Sequence, residues 1–196
     1  YKQFMGVESA FSFVNKNNKA FPTLGLETNL VVGLKTNIDE SKSFSYLIPE
    51  LGFNYKLIPS GQLVLATKLK GHVIFGEGFE FYQAASLGAS DGLRGYRNQR
   101  FSGQNSFYQN IDLRLNFPKI KTGLLPLNIG VYGGFDYGKV WVENDLVSDS
   151  SYNNDRWNNS VGGGVFLNGA EMMIANFSVF NSDDSLRFAF GLGFQF

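Results

Sequence analysis

At the end of the chain Leu186, Phe188, Phe190, Leu192, Phe194 and Phe196 alternate with Arg187, Ala189, Gly191, Gly193 and Gln195. A period of two sets the two groups on opposite faces of an extended strand, whereas a helix would scatter them round its circumference. The same period recurs along the whole chain. Residues 4 to 14 place Met5, Val7, Phe11 and Phe13 against Glu8 and Ser12, and residues 24 to 36 place Leu24, Leu26, Leu30, Val32 and Leu34 against Gly25, Glu27, Asn29 and Lys35. After a tight turn at Ile58-Pro59-Ser60-Gly61, residues 62 to 75 set Leu63, Leu65, Leu69, Val73 and Phe75 against Lys68, Lys70 and His72. Residues 105 to 117 oppose Ile111, Leu113, Leu115 and Phe117 to Asp112, Arg114 and Asn116. Residues 125 to 142 oppose Leu127, Ile129, Val131, Phe135 and Tyr137 to Gly134, Asp136 and Gly138, ending at Trp141. Residues 160 to 168 and 172 to 180 make a further pair about a short Asn168-Gly169-Ala170 turn. Between 43 and 57 the phase shifts near Pro49, from Phe44, Tyr46 and Ile48 to Leu51, Phe53, Tyr55 and Leu57, and a bulge is the expected cause. The expectation is an all-β antiparallel chain of about nine strands.

A soluble sandwich also alternates, so the distribution of charge decides between architectures. Glu8, Glu27, Lys35, Lys68, Lys70, Asp112, Arg114, Asp136 and Arg187 all fall opposite the aromatic face, and Lys139, close to Trp141, is the main exception. A transmembrane barrel demands this sorting, because a lysine or arginine facing lipid at the midplane costs roughly 2 to 4 kcal/mol. The polar faces are small and rich in glycine, a poor sandwich exterior and a suitable lumen. Several runs also approach the ~9 to 11 residues needed to cross a bilayer at a tilt. Connections after residues 57, 117 and 168 are short or fairly short, while those at 77 to 103 and 143 to 157 are long, the asymmetry of an outer-membrane barrel. No stretch approaches the ~18 apolar residues of a membrane helix. With 17 basic and 17 acidic residues the chain is neutral, which argues against nucleic acid as a partner. It has no cysteine, hence no disulfide and no thiolate metal site.

Residues 88 to 103, GASDGLRGYRNQRFSG, form the centre of the chain: a long, glycine-rich, arginine-bearing loop between two strand patterns. Three motifs here and downstream resemble the outer-membrane assembly and two-partner-secretion superfamily, the BamA-type barrels of the bacterial surface antigen family in Gram-negative bacteria. Leu93-Arg94-Gly95-Tyr96 is similar to the family's arginine-glycine-aromatic loop motif. Gly134-Phe135-Asp136-Tyr137-Gly138, followed by Val140-Trp141, is similar to its strand motif with a central aspartate. The carboxy-terminal run, with Phe190, Leu192, Phe194 and Phe196, resembles the terminal aromatic signal by which such barrels are recognised for assembly. These motifs cover residues 61 to 196, and residues 1 to 57 agree in strand pattern only.

The resemblance implies a bacterial outer-membrane location and a loop, residues 77 to 103, folded into the barrel from outside so that Arg94 meets Asp136 on the inner wall. The residues point the same way, since Asp136 lies on the polar face between Gly134 and Gly138, where no side chain blocks approach. Asp112 and Arg114 on the preceding strand extend the expected network, for a buried arginine needs a partner. Family barrels have about sixteen strands, so the whole of residues 1 to 196 is expected to be the carboxy-terminal part of one barrel domain. The chain opens on Tyr1-Lys2-Gln3-Phe4 without a secretory leader, which fits removal by processing or a longer parent chain. The implied function is insertion or translocation of polypeptides across the outer membrane. The implied partners are the lipid bilayer, client polypeptides and periplasmic or lipoprotein accessory subunits. Alternatives are a barrel that anchors or exports a fused amino-terminal enzyme, such as a patatin-like lipase or metallophosphoesterase, and a passive pore.

No catalysis, cofactor or metal is expected of the chain itself. Gly88-Ala89-Ser90-Asp91-Gly92 spells G-x-S-x-G, but that elbow must join a strand to a helix and needs a placed histidine. His72 is the one histidine and lies on the polar parity of its run, without a partner set for a metal. Glycines 162 to 164 open a strand, unlike a phosphate loop, and Asn158-Asn159-Ser160 as a glycosylation acceptor means little on a bacterial surface.

Overall fold

Each alternating run becomes a strand, and the strands join in one antiparallel sheet. The computed structural model describes residues 2–18, 21–76, 78–121, 126–142, 156–169 and 173–194. In chain order the strands are β1 (Phe4–Lys16), β2 (Gly25–Asn37), β3 (Lys42–Lys56), β4 (Leu63–Phe75), β5 (Ala85–Leu87), β6 (Phe101–Gly103), β7 (Asn105–Asn116), β8 (Ile120–Lys121), β9 (Pro126–Trp141), β10 (Asn158–Gly169), β11 (Met173–Ser182) and β12 (Leu186–Phe194). The main sheet runs β1-β2-β3-β4-β7-β9-β10-β11-β12, with the two-residue β8 paired to β9. Every long strand neighbours the next in sequence, as a meander requires. Among the described residues β1 and β12 are its outer strands.

The two faces differ in the way the charge pattern requires. One is bare and apolar: Val7, Phe11, Leu34, Phe75, Phe188 and Phe190 all stand exposed, Val7 at 77% and Phe190 at 68%. The other carries the charges and is covered in part by residues 78 to 104, which connect β4 to β7. That connection has order of its own. A single 3-10 turn, Phe81–Gln83, leads into a hairpin in which Ala85 pairs with Gly103 and Leu87 with Phe101. It rests on two apolar patches. Phe79 packs on Phe44, Tyr46 and Ile74, and Leu87, Leu93, Tyr96 and Phe101 pack on Tyr108 and Val140.

The bulge expected near Pro49 is absent. Pairing of β3 with β2 runs unbroken from Gly25↔Asn54 to Asn37↔Lys42. The shift is one of content: near the covered end the inward face of β3 is apolar, with Phe44 and Tyr46 buried against Phe79, while Leu51, Phe53 and Tyr55 point to the bare face. The ladder to β4 omits Ile48 and Pro49 without changing register, since proline has no N–H to give. At the other pair of strands, Asn168 and Gly169 still belong to β10. Those two residues therefore do not form the turn expected at Asn168-Gly169-Ala170, and Ala170 is outside the described residues, as are 143 to 155, Glu77, Gln195 and Phe196.

Candidate functional site

The covered face of β7, β9, β10 and β11 is a grid set by register. Asn110, Asp136, Ser160 and Ser182 stand in one row across the four strands. Asp112, Gly134, Gly162 and Phe180 form the next row. Small side chains in both rows leave a depression over Asp136, and Arg94 of the loop fills it.

Asp136 has a fully buried side chain and receives donors from three sides. Arg94 donates to it from its backbone N at 3.0 Å, from Nε at 3.0 and 3.1 Å, and from Nη2 at 2.6 Å. Asn110 Nδ2 donates at 2.6 Å and Ser160 Oγ at 2.8 Å. The Arg94 Nη2 also reaches Asp112 Oδ1 at 2.7 Å, and Arg114 Nη2 stands 3.6 Å from the other oxygen of Asp112. Two carboxylates thus face one largely buried guanidinium, whose Cζ lies 4.1 Å from the ring centre of Phe180 and 5.9 Å from that of Tyr132. Burial opposes the charge on Arg94, but the hydrogen bonds and charges of Asp136 and Asp112 outweigh it and raise its pKa above the ordinary value.

The glycines have steric reasons. A Cβ on Gly134 would fall 2.6 Å from Arg94 Nη2 and from Asp112 Oδ1, so only glycine leaves room for the guanidinium. Gly92 sits at φ +87°, the left-handed region, with the ring of Tyr108 where a side chain would go. Beyond Arg94 the loop is held by its backbone. Gly95 N donates to Ser160 Oγ at 3.2 Å, Ser182 Oγ donates to Gly95 O at 2.8 Å, and Arg187 Nη1 donates to Tyr96 O at 3.1 Å.

The structure therefore brings Arg94, Gly95, Asp112, Gly134 and Asp136 together. Arg114 reaches Asp112 and not the loop. Leu93, Tyr96 and Gly138 belong to the adjoining apolar patch, where Gly138 abuts Leu87 and Tyr108. Phe190 and Leu192 lie on the bare face away from the site; the backbone of Phe194 closes β12, and Phe196 is outside the described residues. Asn110, Ser160, Phe180 and Ser182 were not expected from sequence. Their signal was parity, small polar or aromatic residues on the charged side of each strand, but choosing among them needs the register. Ser90 is a loop residue bonded to Asn98 Oδ1 at 2.9 Å, and no helix follows it. Both carboxylates that could ligate a cation here are engaged by Arg94, and among the described residues no group of three metal-ligating side chains occurs.

What this arrangement can do is clamp a segment. It fixes the tip of a loop to three strands through one buried carboxylate.

No protein-family model matches the chain, and no curated protein matches it in sequence. Among solved structures the chain is similar to BamA from Haemophilus ducreyi, in a crystal structure lacking POTRA domains 1-3, at a TM-score of 0.74 and 16% sequence identity. The match covers 96% of this chain and 42% of that one, so the chain spans less than half of the protein it resembles. A likeness of this kind is one of fold: the chain has an all-β antiparallel sheet that matches part of the BamA barrel.

Proposed function

We propose that this chain forms the loop-bearing wall of a bacterial outer-membrane barrel of BamA type, and that the barrel acts in inserting or translocating polypeptides. The observation that carries the reading is the pairing of two faces on one sheet. The bare face presents apolar side chains along all the long strands, a surface that suits lipid and not water. The opposite face holds a loop clamped through Arg94 and Asp136, so the space inside the wall is occupied and braced. An open pore has no need of such a brace. A wall that stays in shape while client chains engage it does. The bilayer, client polypeptides and periplasmic or lipoprotein subunits are the partners on this reading, residues 1 to 196 belong to one barrel domain, and the carboxy-terminal aromatic residues serve its own assembly.

The test is client folding. Liposomes carrying the protein are offered an unfolded outer-membrane barrel, and its folding is followed by gel mobility. The expected result is faster client folding than in empty liposomes, with most of the gain lost in Arg94→Ala. Large, steady conductance with no acceleration would overturn this in favour of a passive pore.

A further inference from the structure

At the end of the sheet away from the clamped loop lies a cavity of about 530 Å³. It is bounded by the β1–β2 connection, the β3–β4 turn, and the ends of β7, β9 and β10. Phe21, from the β1–β2 connection, closes it on the inside. Its ring packs on that of Phe166 of β10, tilted by 33° with centres 4.5 Å apart, and it also lines the next cavity inward, beside Arg94 and Asp112. The wall of the outer cavity is polar, and among the described residues that line it Lys119 is the charged one.

Three asparagines set the chemistry of that wall. Asn168 is 2% exposed, and neither of its amide atoms has a hydrogen-bond partner. Asn128 Oδ1 and Asn116 Oδ1 are also buried and unpartnered. Asn168 and Asn128 are register partners on β10 and β9, so their amides stand side by side, one row from the Phe21–Phe166 pair. The large majority of buried side-chain amides are paired; here Asn37 Nδ2 and Asn158 Oδ1 are also unpartnered elsewhere, but Asn168 alone among the described asparagines has both amide atoms buried without a partner. A primary amide offers the same donor and acceptor as a peptide group. Three asparagines of this chain, Asn116 among them, already bond to main chain. Asn105 Oδ1 accepts from Ile74 N at 2.9 Å, Asn110 Nδ2 donates to Gly92 O at 2.7 Å, and Asn116 Nδ2 donates to Gly61 O at 2.7 Å.

We propose that this cavity binds an extended stretch of polypeptide, whose peptide groups pair with the amides of Asn116, Asn128 and Asn168. The volume is that of an ordinary ligand site. Amides read peptide groups, which every residue carries, so recognition of this kind tolerates many sequences. The site rests on the insertion reading only for the source of the peptide.

The full chain in lipid nanodiscs is titrated with a blocked serine-glycine peptide carrying a dye, followed by anisotropy, with a maltodextrin as competitor. Saturable binding is expected, and Asn168→Leu should weaken it about tenfold or more while leaving the unfolding temperature unchanged or higher, since leucine replaces an orphaned amide with an apolar group of similar size. Asn128→Leu is the second variant, with the same expected pair of outcomes. No saturable binding, unchanged binding in both variants, or displacement by the maltodextrin would overturn the proposal, the last by assigning the cavity to a glycan. Peptide binding is scored without client folding, so either test can fail while the other stands.

Discussion

Arg94 and Arg100 stand on the same loop and each meets an aspartate, yet the two contacts hold different things. Arg94 reaches Asp136, a fully buried carboxylate that also takes bonds from Asn110 and Ser160. Arg100 reaches Asp184, a third exposed, in the short turn between β11 and β12 at the rim. The lesson lies on the carboxylate side. A buried carboxylate cannot fall back on water when its arginine is removed, and a rim carboxylate can.

The largest effect should therefore come from Asp136→Ala. It leaves Arg94 with Asp112 alone and strips Asn110 and Ser160 of an acceptor, at a cost of about 3 to 5 kcal/mol, read as a lower unfolding temperature in gel mobility. If the loss is no larger than for Asp184→Ala, burial is not what separates the two contacts. Next is Gly134→Ala, whose added methyl would displace Arg94 or Asp112 and cost about 1 to 3 kcal/mol. Its control is Gly133→Ala, on the other face of the same strand, where a Cβ meets nothing within 4 Å and stability should hold. Equal losses in both would point to strand propensity instead of the clamp.

Arg100→Ala should cost no more than about 1 kcal/mol, and that loss should shrink with added salt, as unfolding at low and high ionic strength would show. The smallest effect concerns Lys2, which joins Glu40 of the β2–β3 turn to Glu80 of the loop. The hydrogen bond from Lys2, and then its charge, hold the Glu40 carboxyl below its usual range. A depressed folded pKa means that the contribution is present at neutral pH and is lost as pH falls through the folded value. Acidification should thus lower the protection factors of the amides in residues 38 to 41, taken against the intrinsic exchange rate at each pH, before the sheet itself loosens. Unchanged protection there would remove Lys2 from the account.

The strands were legible in sequence because each charged side chain fixes a parity, and a one-residue slip would put Lys68 or Asp112 on the apolar face. Pro49 shows where that reading stops. A run of apolar residues changing sides looks like a change of register, although here it is a patch of inward face that the loop covers. Asp136 could be singled out because Gly134 and Gly138 flank it on the polar parity. Asn110, Ser160 and Phe180 could not, because their place beside it depends on how neighbouring strands align, which pairing sets and local sequence does not. Phe21 lay beyond sequence altogether, since its partner Phe166 is on a distant strand.

The central claim is that Arg94 and Asp136 act as one unit that seats the loop. The most direct measurement is a double-mutant cycle on the unfolding free energy of the membrane-embedded chain, with Arg94→Ala, Asp136→Ala and the pair together. The account predicts that the double variant is scarcely worse than the worse single one, a coupling of about 2 kcal/mol or more. Additive losses, with a coupling near zero, would contradict it.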